Sequence, residues 1–394
     1  MYFIEKENII GIRKILENQR FNRIENAPKP YPPHLENVEI KPVSDQQPAP
    51  KWRDNKGVLY GSNGRKVFKS SDEGLTWQHV LDAPDTIYAL LVSNTGRIII
   101  STSTGLHSTD EEQTEFSEPL ATFLGGRVFE AFGQSMHDNY IVLSTYGTKN
   151  ASNPPRQAFL STDYGATFEE IFNMPIEEMK DPSNFHIHDV EYDPYTGRIW
   201  LHIGDEDNRD LKYSDDLGET WISVYDDAND ISNMTHLMSS PYGLLLGSDH
   251  TSPGISIIRS TDEHSVIYPR LTDKSPRTTH IIRYPMPKNK IEPLVTIMRT
   301  DNTSHVATRG WVCKKSGVYI MPFRYNTGDV EAMILASGDG LNWYHIYRSP
   351  IKRSALLNVV GFDEAADESD RYIHALLESD GERYSFKAKF PCFR

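Results

Sequence analysis

From residue 57 onward the apolar side chains come in short runs, each broken by glycine, asparagine or aspartate. Residues 57–62 (GVLYGS), an Asn63-Gly64 turn and residues 66–69 (KVFK) read as a β-hairpin. Residues 76–80 (TWQHV) add a third strand, and residues 371–377 and 384–390 supply two more at the end of the chain. Before residue 57 the pattern changes. Ile4, Ile9, Ile12, Ile15 and Leu16 recur at helical spacing and predict a short amphipathic helix over 4–20. Pro28, Pro30, Pro32, Pro33, Pro42, Pro48 and Pro50 then predict an extended arm. This divides the chain into an N-terminal helix and arm over 1–50, suited to an oligomer or assembly contact, and a strand-rich domain over 51–394.

One turn recurs through the strand-rich part. Ser70, Asp72, Gly74, Thr76 and Trp77 form S-x-D-x-G-x-T-W. The short hydroxyl and carboxylate side chains suit bonding back to a tight loop, and the glycine suits a positive φ. Ser214, Asp216, Gly218, Thr220 and Trp221 repeat it in full, and Ser161, Asp163, Gly165, Thr167 and Phe168 repeat it with phenylalanine. A version one residue shorter starts at Ser337, and worn copies without the glycine start at Ser108 and Ser260. Starts at 70, 108, 161, 214, 260 and 337 give a period of very roughly 50 residues, the signature of an all-β propeller of four-stranded antiparallel blades. Seven blades fit the count best and six are the alternative, with the two ends sharing a blade through residues 38–40.

The turn resembles the Asp-box (BNR) repeat of sialidase-like propellers, over roughly residues 65–350. The resemblance implies that the Asp-box turn joins the third and fourth strands of a blade. It also implies that ligands bind on the opposite face, where the fourth strand leads to the next inner strand and the second leads to the third. A true sialidase is not expected: before Ser70 there are only Arg53 and Arg65 in this strand-rich part, neither in the F-R-I-P-like context of that family. Sialidases, lyases, sortilin-like receptors and phage tail proteins share this repeat, so it implies fold and leaves activity open.

Counting forward from each turn aligns the inner strands as 86–88, 128–130, 186–188, 234–236, 278–280 and 356–358. One position of that alignment reads Tyr88, Glu130, His188, His236, His280 and Asn358, polar in every copy. Inner strands line the axis, so these six side chains are expected to ring it. His188, His236 and His280 make a divalent transition metal the candidate cofactor; the alternative is a solvated polar channel. A second group is expected beside it on the ligand face: Tyr146, Arg156, His186 and His188 as catalytic candidates, with Asp205 and Arg209 as binding candidates. Tyrosine and histidine suit base and acid roles, and arginine suits a carboxylate or phosphate. The H-x-H…D-P-Y stretch after Phe185 is similar to bacterial and phage Asp-box proteins described as glycosyl hydrolase-like.

The chain has 394 residues, 11% of them aromatic, and a formal net charge of −14. That acidity argues against a nucleic-acid partner, and no apolar run has the length of a membrane span. The two cysteines, Cys313 and Cys392, match no zinc pattern. The first residues lack a signal-peptide pattern, which predicts synthesis in the cytoplasm, with release by lysis as a route outside. Three readings follow: a glycan-binding propeller recognising a cell-surface polysaccharide, for example on a phage tail; a polysaccharide lyase or glycoside hydrolase using the histidines; and a structural or protein-binding propeller.

Overall fold

In a computed structural model, the structure describes residues 35–44, 47–129, 132–147, 152–204, 206–223, 234–240, 243–248, 255–258, 270–271, 304–313, 318–327, 331–338, 342–361 and 372–390. The fold is an all-β propeller of antiparallel, mostly four-stranded blades. Among the described residues the only helical elements are three 3-10 turns, at Ile176–Glu178, Pro182–Asn184 and Glu206–Asn208, and no helix is long and apolar enough to cross a membrane. The helix expected over 4–20 lies outside the described residues.

Among the described residues the strands pair into seven sheets, six built from continuous segments and one that joins the two ends; the propeller has six blades, the alternative and not the seven expected. The chain enters at β1 (Glu36–Pro42), which belongs to the closing sheet. The first sheet is β2 (Ala49–Arg53), β3 (Leu59–Asn63), β4 (Lys66–Ser70) and β5 (Gln78–Asp82). The second is β6 (Ala89–Val92), β7 (Ile98–Ser101) and β8 (Leu106–Ser108). The third is β9 (Gln134–His137), β10 (Tyr140–Ser144), β11 (Gln157–Ser161) and β12 (Glu169–Asn173). The fourth is β13 (His186–Asp193), β14 (Arg198–Gly204), β15 (Asp210–Ser214) and β16 (Ile222–Ser223). The fifth is β17 (Met234–Ser240), β18 (Gly243–Ser248) and β19 (Ile255–Ile258). The sixth carries β20 (Arg270–Leu271), β21 (Ser304–Ala307), β22 (Trp311–Cys313), β23 (Val318–Thr327), β24 (Glu331–Ser337) and β25 (Asn342–Lys352). The closing sheet is β26 (Ser354–Val360), β27 (Tyr372–Ser379) and β28 (Glu382–Lys389), with β1 paired on its outer edge. The proline-rich stretch is therefore not a free arm at its end: residues 36–42 complete the last sheet, and residues 49–50 begin β2, the inner strand of the first.

Strand alternation explains the packing. Leu90, Val92, Ile98 and Ile100 face the first sheet and pack on Tyr60 and Val67. Their neighbours Ala89, Leu91 and Ile99 face the third sheet and meet Ile141 and Leu143. A blade buried on both faces therefore reads as a continuous apolar run, as in β7 (Ile98, Ile99, Ile100), and each such side chain contributes about 1.5–3 kcal/mol by leaving water.

The recurring turn joins the third and fourth strands wherever it is described in full. Ser70 Oγ accepts from Gly74 N at 2.9 Å, and Asp72 Oδ1 accepts from Ser70 Oγ at 2.7 Å and Thr76 N at 2.9 Å. The Ser161–Asp163–Thr167 and Ser214–Asp216–Thr220 networks repeat these bonds. The hydroxyl and amide of Thr76, then Ser70, hold the Asp72 carboxyl down at about 2. Gly165 (φ +84°) and Gly218 (φ +100°) leave no room for a Cβ, which would meet Ile99 and Ile171 of the preceding blade at 2.2 and 2.5 Å. The worn copy at Ser108 keeps only the aspartate–threonine half, Asp110 to Thr114. The copy at 260 lies outside the described residues.

The ring closes on a charged clasp. Arg53 of β2 donates both Nη atoms to Glu73 in the first turn, at 2.7 Å each, and His374 Nε2 of β27 meets the same carboxylate at 2.7 Å. Burial pushes the Glu73 carboxyl up, but the bonds and charges of Arg53 and His374 outweigh it and hold it down at about 2.

Candidate functional site

Three of the expected catalytic residues meet at one end of the barrel. Tyr146 follows β10 in the connection to the third strand, and His186 and His188 open β13. The Tyr146 ring lies edge-on to His186 at 5.2 Å and tilted to His188 at 6.2 Å, and the two imidazoles are 4.6 Å apart. His186 Nδ1 faces the Asn184 carbonyl at 3.0 Å and His188 Nδ1 faces the Met234 carbonyl. A carbonyl only accepts, so both Nδ1 atoms carry protons. The two Nε2 atoms stand 2.8 Å apart, which requires one further proton between them. Both histidines are buried, and a Cβ on Gly204 would meet the His188 ring at 2.2 Å. The cluster is packed on itself.

Of the other described candidates, Arg156 and Tyr88 make their contacts elsewhere. Arg156 Nε donates to Asn173 on the outer strand of its own sheet, at 3.0 Å. Tyr88 lies under the Arg127 guanidinium at 4.2 Å and edge-on to Phe129. Arg209 is half-buried at the entry to β15. Asn358 lies on β26. Glu130, Asp205 and His280 lie outside the described residues, as does the expected inner strand 278–280; among the described residues β21 and β22 pair with β23.

The expected axial ring is broken by a β-bulge. The pairing of β13 with β14 shifts between Ile187 and Asp189, and that of β17 with β18 shifts between Met234 and His236. After the bulge Asp189 reaches the blades on both sides, whereas His188 Nδ1 meets the Met234 carbonyl of the next one. Its Oδ1 accepts from Gly133 N and Val190 N at 2.8 and 2.9 Å, and its Oδ2 from His236 Nδ1 and Leu237 N at 2.7 and 2.8 Å. His236 Nε2 accepts from Gly310 N at 2.9 Å, so both of its nitrogens are committed within the protein. A metal shared by His188 and His236 is not confirmed: each ring faces protein partners. Among the described residues no group of three or more His, Cys, Asp or Glu is arranged to hold a metal ion.

Two residues along, Glu191 makes a parallel arrangement that sequence reasoning missed. Its Oε1 accepts from Ser239 N at 2.9 Å and faces His137 Nε2 at 3.2 Å. Burial pushes the Glu191 carboxyl up, and the bonds from His137, Ser135 and Ser239 outweigh it, holding it low and ionised. The available signal was β13 itself, H-I-H-D-V-E-Y-D, a fully buried strand with alternating carboxylates.

Below these pairs a cavity of about 620 Å³ lies between the inner strands of the first, third, fourth, fifth and sixth sheets. Its walls include Trp52, Tyr192, Trp311 and Tyr319, with Met136, Met238, His137 and Glu191. The Arg309 guanidinium lies over the Trp52 indole at 4.9 Å. Its rim carries Asp138-Asn139 and Pro194-Tyr195, the hairpins between first and second strands. That is the same face as the recurring turns, opposite the one expected to bind ligands.

No protein-family model matches the chain, and no curated protein sequence matches it. Solved structures do. A chain of the mitotic checkpoint complex aligns with a TM-score of 0.54 at 10% identity, over 92% of this chain and 96% of that one. The GH74 xyloglucanase from Xanthomonas campestris aligns with a TM-score of 0.50 at 14% identity, over 88% of this chain and 53% of that one. The β-propeller domain of Cps50 (Swd1) from Myceliophteria thermophila aligns with a TM-score of 0.48 at 10% identity, over 92% and 98%. At such identities the likeness shows the propeller fold and nothing finer.

Proposed function

We propose that this is a glycan-binding propeller whose ligand enters the central cavity from the face that carries the recurring turns. The observation that carries the reading is the cavity wall: flat rings of Trp52, Trp311 and Tyr319 stand beside polar groups in a space of about 620 Å³, within the range of small-ligand sites. Sugar rings present apolar faces and hydroxyl edges, and aromatic walls with a few fixed polar groups suit both. The S-x-D-x-G-x-T bonds support membership of the Asp-box type. The same reading extends to a role on a phage tail or similar extracellular assembly, recognising a cell-surface polysaccharide. A glycan array probed with the full chain and with Trp52→Ala and Trp311→Ala tests it. Binding to at least one glycan, lost in both variants, is expected; failure of the wild-type chain to bind any array member overturns it.

A second reading is favoured by one observation, the Tyr146–His186–His188 cluster with its two Nε2 atoms 2.8 Å apart. There the chain is a polysaccharide lyase or glycoside hydrolase, with Tyr146 and the histidines exchanging protons with substrate. Incubation with a polysaccharide panel, followed by reducing-end assay and by ultraviolet absorbance of unsaturated uronates, tests this; products that vanish in Tyr146→Phe are its expected result.

A further inference from the structure

We propose that His137 is the acceptor that recognises a ligand hydroxyl in the central cavity, and that Glu191 is the positioning residue that fixes it in that role. This rests on the glycan reading above and adds the atom that selects the ligand: a saccharide bearing a hydroxyl that donates to His137 Nδ1.

The argument starts from protons. Glu191 is buried and ionised, so its oxygens only accept. His137 Nε2, 3.2 Å from that carboxylate, carries a proton, and the neutral form of the ring presents Nδ1 as a bare acceptor. Among the described residues nothing donates to that Nδ1. The ring lines the cavity and keeps 24% of its side chain accessible. It is the last residue before the Asp138-Asn139 hairpin tip, where Asp138 has φ +56°, so it stands at the mouth.

The ring is also held from the side. His137 pairs with Tyr140 across the hairpin, Tyr140 stacks on Tyr192 at 4.3 Å and 8°, and Tyr192 lies 6.3 Å from the His137 ring. Neighbouring His236 provides the internal contrast. It too is held by a carboxylate, but its second nitrogen is capped by Gly310 N. The cavity thus holds two carboxylate–imidazole pairs, and only the one at the mouth presents an acceptor to a visitor. Across the space, Trp52, with the Arg309 guanidinium over its ring, and Trp311 supply apolar wall for the same ligand. A hydroxyl-bearing ring meets both needs at once; an apolar ligand would leave the buried-side acceptor unpaired, a penalty that discriminates strongly against it.

The test uses the full chain labelled with ¹⁵N-histidine and long-range ¹H–¹⁵N correlation spectra. The free protein is expected to show His137 as the Nε2–H tautomer, and a Nδ1–H tautomer would overturn the proposal. Xyloglucan oligosaccharides, oligogalacturonides, sialyllactose and chito-oligosaccharides are then titrated in. For the saccharide that binds, the His137 Nδ1 resonance is expected to shift, and His137→Phe to weaken binding about tenfold, the effect of one lost hydrogen bond. Glu191→Gln, whose amide can donate to Nε2, is expected to move the proton to Nδ1 and weaken binding to the same extent. Wild-type affinity in His137→Phe, with no shift at His137, would overturn this inference and leave the glycan reading standing. No binding of any saccharide to the wild-type chain would overturn both.

Discussion

Asp189 and Glu191 sit two residues apart on one buried strand, each gripping an imidazole from an adjacent blade, yet they do different work. Asp189 accepts four hydrogen bonds, and its partner His236 is capped on the far side by Gly310. Every polar atom of that pair is used inside the protein, so it staples four neighbouring sheets, the third to the sixth. Glu191 fixes His137 in the same manner, but the far side of His137 opens on a cavity. The difference lies in what stands behind the imidazole, not in residue type. Charged and imidazole groups on inner strands therefore mark a site only where space adjoins them. The Tyr146–His186–His188 cluster, rich in candidate chemistry but packed on itself, makes the same point at the other end of the barrel.

The closed pair breaks most expensively. Asp189→Ala leaves four donors buried and unpaired and is expected to destabilise the fold by about 3–5 kcal/mol, seen as a lower urea midpoint. Gly310→Ala opens the closed pair from behind: the new Cβ would meet the Ile320 carbonyl at 2.4 Å, forcing the cap off His236. A loss of about 1–3 kcal/mol is expected, with a changed His236 ¹⁵N signature.

A third carboxylate–imidazole pair, Glu73 with His374 at the ring closure, sharpens the comparison through pH. The Glu73 carboxyl is held at about 2 against an ordinary 4.5, so its contribution is present above pH 4.5 and is lost as pH falls toward 2. Burial, opposed by Glu73, holds His374 below its ordinary 6.5, so the contribution of its neutral form is also lost on acidification. Stability is expected to fall with pH below about 6.5, and Glu73→Gln to lose about 1–2 kcal/mol at pH 7 and flatten the slope below pH 4.5. Equilibrium urea melts across that range check both. His137→Phe, at the open pair, is expected to cost about 1 kcal/mol, less than Asp189→Ala because Ser239 N still donates to Glu191.

The fold was legible because its fasteners are local. Ser70, Asp72, Gly74 and Thr76 bond one another within one turn, so their spacing survives in the sequence, and residues 38–40 were read as joining the last blade because the strand count needed them. The axial ring was not legible. A bulge at His188 turns every later side chain of β13 to the other face, and no residue near it announces that shift. The cavity was hidden for a different reason. Trp52, His137, Glu191 and Trp311 lie on four separate strands, and only closure of the ring brings them together.

The central claim is that the open pair, not the packed cluster, faces the ligand. Calorimetric titration of a bound saccharide into wild type, His137→Phe and Tyr146→Phe tests it most directly. Affinity reduced about tenfold in His137→Phe and unchanged in Tyr146→Phe is the predicted result. Affinity lost in Tyr146→Phe and kept in His137→Phe would contradict the account.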